Sequence, residues 1–133
     1  MHTAIRLFGA GLAAIALTLG TAATAYAQGA PPQVVDPKVI GNAVDANKAR
    51  AALEWDGKFV QITAEVTDIS TAFSPSVSFS KVTGQAFDLI QIVCYPAEES
   101  ALIPFTKGQK ATVRGVVEVG YMGVIKLNDC VKA

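Results

Sequence analysis

Residues 87–119 read FDLIQIVCYPAEESALIPFTKGQKATVRGVVEV. Leu89, Ile90, Ile92 and Val93 stand nearly unbroken between Phe87 and Tyr95. That is the composition of a strand buried on both faces or closed into a barrel, and Pro96 stops it. Ala97 to Phe105 places Glu98 and Glu99 where a helix dipole favours acid, followed by Ala101, Leu102 and Ile103 to pack. Pro104 limits this helix to a turn or two. After Lys107-Gly108, the alternation of Ala111, Val113, Gly115, Val117 and Val119 fixes the inward face of a strand over Lys110 to Val119, kinked at Gly115.

Working outward, Gly120-Tyr121-Met122-Gly123 joins that strand to a last one, Val124 to Val131. Upstream, Val60, Ile62, Ala64 and Val66 alternate with Gln61, Thr63, Glu65 and Thr67, which predicts a half-buried strand over Lys58 to Thr67. Ile69 falls out of phase, so a bulge or bend is expected near Asp68, before the Ser74-Pro75-Ser76 turn. A weaker strand covers Val77 to Val82 and turns at Thr83-Gly84. Ahead of these strands, Ala43, Val44, Ala46, Ala49, Ala51, Ala52, Leu53 and Trp55 recur at helical spacing. Asn42 or Asp45 can cap that helix, and Asp56-Gly57 ends it. Residues 28–41 carry Pro31, Pro32 and Pro37 and read as an extended Pro-rich leader, which leaves 42–133 as the folded domain. The fold class is mainly β: a five-stranded OB-fold Greek-key barrel with an N-terminal helix and a short helix between strands 3 and 4.

The first 27 residues have a different character. Arg6 is followed by an apolar run from Leu7 to Leu19 and by Ala25-Tyr26-Ala27, the order of a signal peptide cleaved before Gln28. The run is shorter than a membrane span and is broken by Gly9 and Gly11. No cysteine follows the cleavage point to carry a lipid, and no later stretch of the mature chain is apolar enough to span a bilayer. The expected location is the periplasm or the exterior. His2, the one histidine of the chain, leaves with the signal. Histidine-based triads and histidine-ligated zinc are thereby excluded from the mature protein. The full chain balances 11 Lys and Arg against 11 Asp and Glu, and loss of Arg6 leaves the mature chain near −1, which argues against a polyanion partner.

Asn47 in an alanine-rich helix, Trp55-Asp56-Gly57-Lys58 leading into the first strand and Cys94 ending the third form one part of a longer pattern. Lys107-Gly108-Gln109, Arg114-Gly115 and Asn128-Asp129-Cys130 complete it. Over roughly Ala43 to Val131 the chain resembles the tRNA_anti-like family of exported bacterial OB-fold proteins. The resemblance implies the fold and brings no catalytic or binding residue with it.

Cys94 and Cys130 are the two cysteines of an exported chain, for which one disulfide is the expectation. In an OB barrel the third and fifth strands run side by side and parallel, so their ends share a rim, and each of these strands ends in one cysteine. A redox-active pair would want Cys-x-x-Cys spacing, and zinc would want histidine; neither is present. Trp55, at the helix-strand junction, is read as a plug for the barrel end, with a ligand platform as the alternative. Phe79, Lys81, Phe87 and Tyr95 fall on strands 2 and 3, the face that OB-folds use for ligands, and Tyr121 and Met122 sit at the last hairpin tip. The acids are scattered and the glycines form no phosphate loop, so no catalytic set, metal site or cofactor is expected. The expectation is a non-enzymatic, monomeric binding or interaction module with an unknown protein or small ligand as partner. An accessory stability factor for an envelope assembly, engaged through Tyr121, Met122 and the leader, is the alternative; single-stranded nucleic acid is disfavoured by charge.

Processing is directly testable. Intact-mass measurement of exported material is expected to give a chain that begins at Gln28; retention of residues 1–27 would contradict the reading.

Overall fold

The structure, a computed structural model, describes residues 30–79, 82–83 and 89–133. Strand β2 (Phe59–Ser70) is the one around which the others close. β1 (Gln33–Val34) precedes it, and β3 (Ser76–Phe79), β4 (Gln91–Tyr95), β5 (Lys110–Val119) and β6 (Val124–Lys132) follow. The first half of β2, Phe59 to Glu65, pairs antiparallel with β5, and the second half, Val66 to Ser70, with β3. The exchange of partners coincides with a register shift between Val66 and Asp68, where the phase of Ile69 predicted a bulge. β4 then pairs antiparallel with β3 and parallel with β6, and β6 pairs antiparallel with β5. The order β2-β3-β4-β6-β5 returns to β2, which makes the closed five-stranded Greek-key barrel of the OB-fold. Val60, Ile62, Phe79, Ile92, Val113, Ile125 and Leu127 fill its interior.

The segment read as an extended leader is partly built into this unit. β1 pairs parallel with Val60 and Gln61 of β2, on the edge opposite β5 that β3 takes further along. Val35 then enters the core, and Asp36 caps α1 (Pro37–Ala46) by accepting from Lys38 N–H at 2.9 Å. Proline counts against helix interiors, but here Pro37 holds the first helical position, where no N–H is needed. Ile40 and Val44 bury one face of α1. Gly41 lets it approach closely, because a Cβ there would stand 2.6 Å from Val82 Cγ1.

The single expected helix is two. Asn47, in extended conformation, donates its N–H to Ala43 O to close α1 and accepts from Arg50 N–H at 3.0 Å to open α2 (Lys48–Trp55). The alanine periodicity runs through this break without a signal; the asparagine side chain makes the break by satisfying a helix start. Asp56 and Gly57 end α2, as expected, and fasten it to β5 through Gly57 N–H to Val117 O and Val119 N–H to Asp56 Oδ1 at 2.7 Å. Two further bounds shift. The strand over Val77–Val82 starts at Ser76 and is described as far as Phe79, with Val82 outside it, and the helix over Ala97–Phe105 reduces to a 3-10 turn, Glu99–Leu102. The strand over Phe87–Tyr95 is described from Gln91 onward, with Leu89 exposed and Ile90 buried before it.

A second bulge sets the barrel's covalent closure. Arg114 faces Val131 and Val116 faces Asn128, so Asp129 and Cys130 together oppose Gly115. Gly115 has no room for a Cβ, which would meet Leu127 Cβ at 2.9 Å, and Asp129 is left-handed with φ 50°. The extra residue reverses the inward phase of β6: Ile125 and Leu127 point in, Asp129 out, and Cys130 in again. Cys130 is thereby bonded to Cys94 on the parallel neighbour β4, with Cα atoms 5.4 Å apart. At a sequence separation of 36, the chain-entropy estimate is about 4 kcal/mol as an upper figure. Urea unfolding of the Cys94→Ser, Cys130→Ser double variant is expected to show a loss approaching that value, and non-reducing peptide maps should join the two cysteines. A loss below about 1 kcal/mol would show that the bridge constrains little.

Candidate binding surface

The outer face of β3, β4, β6 and β5 is organised by register. Ser78 pairs with Val93, Val93 with Lys126 and Lys126 with Glu118, so these four form one row across four strands. Beside it Tyr95 pairs with Asn128, which pairs with Val116. The side chains close a small network. Lys126 Nζ lies 3.5 Å from Glu118 Oε2 and 6.0 Å from the centroid of the Tyr95 ring, and Asn128 Nδ2 donates to Glu118 Oε1 at 3.3 Å. Both charged side chains remain about half exposed, so the pair fixes orientation more than it stabilises. Val93 is buried although it stands on the outer face, while Tyr95 is half-buried. The row is therefore polar at its ends, apolar in the middle, and carries one ammonium beside one carboxylate.

Of the residues singled out in sequence, Tyr95 stands on this face. Phe79 does not. Its register with Ile92 and the parity it shares with Val77 turn it inward, where it is fully buried, which corrects its assignment to the ligand surface. Lys81 and Phe87 lie outside the described residues. Trp55 is 8% exposed and packs in the core at the end of α2, as the plug reading expected. Lys58 Nζ sits 5.0 Å from its ring centroid, and its indole Nε1 is buried without a hydrogen-bond partner. Tyr121 and Met122 are exposed at the β5–β6 hairpin tip.

Sequence reasoning missed Val93, Lys126, Glu118 and Asn128. Their parity on each strand was legible, but only the pairing of β4 with β6 brings them together. Concavities among the described residues flank the barrel. One, of about 710 Å³, lies where β1 gives way to α1 beside β2, with Lys38, Lys110, Asp36 and Glu65 among mixed neighbours. Another, about 530 Å³ and mainly apolar, lies between the end of β2 and the 3-10 turn, lined by Ile69, Leu102, Ile103 and Phe105. Among the described residues no three His, Cys, Asp or Glu side chains gather as a metal site, and no helix is long and apolar enough to cross a membrane.

No protein-family model matches the chain, and no curated protein matches it in sequence. A solved structure does share the fold. It is described as a candidate nucleic acid-binding lipoprotein from Klebsiella pneumoniae subsp. pneumoniae MGH 78578. It superposes with a TM-score of 0.61 at 17% identity, covering 77% of this chain and 92% of that one. Identity at this level establishes the shared barrel and leaves the chemistry of the surface to be argued from this chain's own residues.

The unpartnered indole gives a test of the Trp55 assignment. A core tryptophan with an unsatisfied N–H loses apolar area on replacement by phenylalanine but also sheds a desolvation penalty of about 1–3 kcal/mol. Trp55→Phe is thus expected to unfold within about 1 kcal/mol of the parent, whereas Trp55→Ala should lose about 3–5 kcal/mol. Comparable losses in both variants, by denaturant midpoint, would assign the indole nitrogen a role in the fold.

Proposed function

We propose that this chain is an exported, non-enzymatic OB-fold binding module of the tRNA_anti-like kind, processed after Ala27 and acting in the periplasm or outside the cell. Its ligand is a protein segment or a small molecule. The observation that carries the reading is the charge state of the face formed by β3, β4 and β6. The cation of its central row, Lys126, is tied to Glu118, and its neighbours Ser78, Val93, Tyr95 and Asn128 are uncharged. Single-strand binders combine stacking aromatics with a cationic track along the phosphates. Among the described residues of this face an aromatic ring is present and a run of unpaired cations is not. The buried position of the disulfide sulfurs, both on fully buried cysteines, suits a compartment in which the bridge forms once and persists. The nucleic-acid description of the Klebsiella structure supplies the competing reading.

A second reading, an accessory factor for an envelope assembly, is favoured by the apolar concavity beside the 3-10 turn, where Ile103 is 83% exposed. Placement of the gene among those of one envelope assembly would support it.

Fluorescence anisotropy with labelled single-stranded DNA and RNA discriminates the main alternatives. No binding tighter than roughly 100 μM at physiological salt is expected, the weak end of non-specific association. Micromolar binding that falls steeply with added salt would overturn the reading in favour of a nucleic-acid module.

A further inference from the structure

The tip of the β5–β6 hairpin goes against local preference. Val124 N–H donates to Tyr121 O at 3.1 Å and Gly120 N–H to Val124 O at 2.8 Å, so Met122 and Gly123 are the two central residues of the turn. Both are left-handed, with φ 55° and 78°. Two successive left-handed positions select asparagine, aspartate or glycine at the first of them. Methionine at 122 has neither glycine's freedom nor a polar group to bond locally. Nor does packing compensate, because the side chain is 91% exposed.

Met122 is not alone. Tyr121 is 88% exposed and Leu89 84%. Leu89 is adjacent through the backbone: its carbonyl oxygen stands 3.1 Å from where a Cβ on Gly123 would be, and Gln91 N–H donates to Gly123 O. Lys48, at the start of α2, places its ammonium 5.0 Å from the centroid of the Tyr121 ring and makes no ion pair among the described residues. Two acids at this end of β5 are engaged: Asp56 accepts from Val119 N–H, and Glu118 is held by Lys126 and Asn128. A methionine, a leucine, a tyrosine and an unpaired lysine thus share one protruding tip.

A stable protein interface buries about 800 Å² on each partner in complementary shapes, more than a two-residue turn and one neighbouring side chain present. A bilayer requires no complementary shape. Met and Leu suit the acyl boundary, a tyrosine ring suits the headgroup level, and a lysine ammonium at the foot of the apolar patch meets lipid phosphate. We propose that the Tyr121–Met122 tip, with Leu89 and Lys48, docks this domain reversibly on an anionic lipid surface. The tip adjoins the row through Lys126, whose Cε lies 3.6 Å from a Cβ position on Gly120, so the two readings are told apart by their probes, vesicles for the tip and oligonucleotides for the row.

Co-sedimentation of the processed chain with vesicles of phosphatidylglycerol and phosphatidylcholine in equal parts, against vesicles of phosphatidylcholine alone, tests the proposal. The parent is expected to partition onto the anionic vesicles and more weakly onto the neutral ones. Met122→Asn places a preferred residue in the turn, so its thermal midpoint should equal or exceed the parent's while its partition falls about tenfold or more. Leu89→Ser should act in the same direction, and Lys48→Gln should lower partition onto anionic vesicles alone. Tyr121→Trp should show a blue shift in emission on vesicle addition. Failure of the parent to sediment with either vesicle, equal sedimentation with both, or unchanged sedimentation of folded Met122→Asn would overturn it. Loss of an envelope protein's capture by Met122→Asn, with no vesicle binding by either form, would overturn it in favour of a protein partner.

Discussion

One extra residue in β6 governs how this barrel is closed. In a regular strand that follows Ile125 and Leu127, position 129 would point inward and Cys130 outward, away from Cys94. The bulge opposite Gly115 reverses that order, and it needs two permissive backbones at once: a glycine where β5 and β6 come too close for a Cβ, and an aspartate that accepts the left-handed region. The disulfide then locks β4 to β6, a parallel pair that no short turn can hold in register. Net stability of a domain this size is about 5–15 kcal/mol, so a cross-link worth up to about 4 kcal/mol is a large share of it. The loop between the cysteines also carries the 3-10 turn and all of β5, whose positions depend on both of its ends being fixed.

The strands were legible because their burial is one-sided. Alternation in 60–66 and 111–119 names an inward face without reference to any partner, and the bulge near Asp68 shows itself as a break in that alternation. Gly115 could be read as a kink for the same reason, but its counterpart at Asp129–Cys130 could not, since a phase reversal in β6 has meaning only against the pairing with β5. The N-terminal region was misread for a different reason. Proline suggests an extended leader by composition, whereas Pro37 here starts a helix and Val35 and Ile40 are core residues. Asn47 is invisible to hydrophobic periodicity because it interrupts the backbone and leaves the apolar spacing almost intact. Phe79 shows the reverse case: its shared parity with Val77 was available in the sequence, and strand position alone was an inadequate guide to which face it served.

The barrel separates fold from surface chemistry. Residues pointing inward are fixed by packing, while those pointing outward are constrained mainly by cross-strand neighbours, so the same topology at 17% identity is compatible with unlike surfaces. On this chain the outer row has been brought close to neutrality by pairing Lys126 with Glu118 across β6 and β5. Adjacent opposite charges of this kind add little stability, but they cancel the local field that would attract a phosphate backbone. The consequence for function comes from that cancellation more than from the near-zero charge of the whole chain, which says nothing about where charges lie.

The hairpin that carries this pairing also explains how an unfavourable tip can persist. β5 is hydrogen-bonded to β2 along one edge and to β6 along the other, and Gly57, Lys58 and Asp56 tie its last residues, next to the tip, to the close of α2. A turn supported on this many sides is determined by the strands it joins, so the residue at position 122 adopts the left-handed conformation whatever its own preference. The strain is small against the anchoring and is not relieved by burial, since the methionine side chain is in solvent. Local stability would select asparagine or glycine at such a site. An apolar residue there, beside an exposed tyrosine and leucine and above a lysine with no ion pair among the described residues, is better accounted for by what the tip contacts than by what it contributes to the fold.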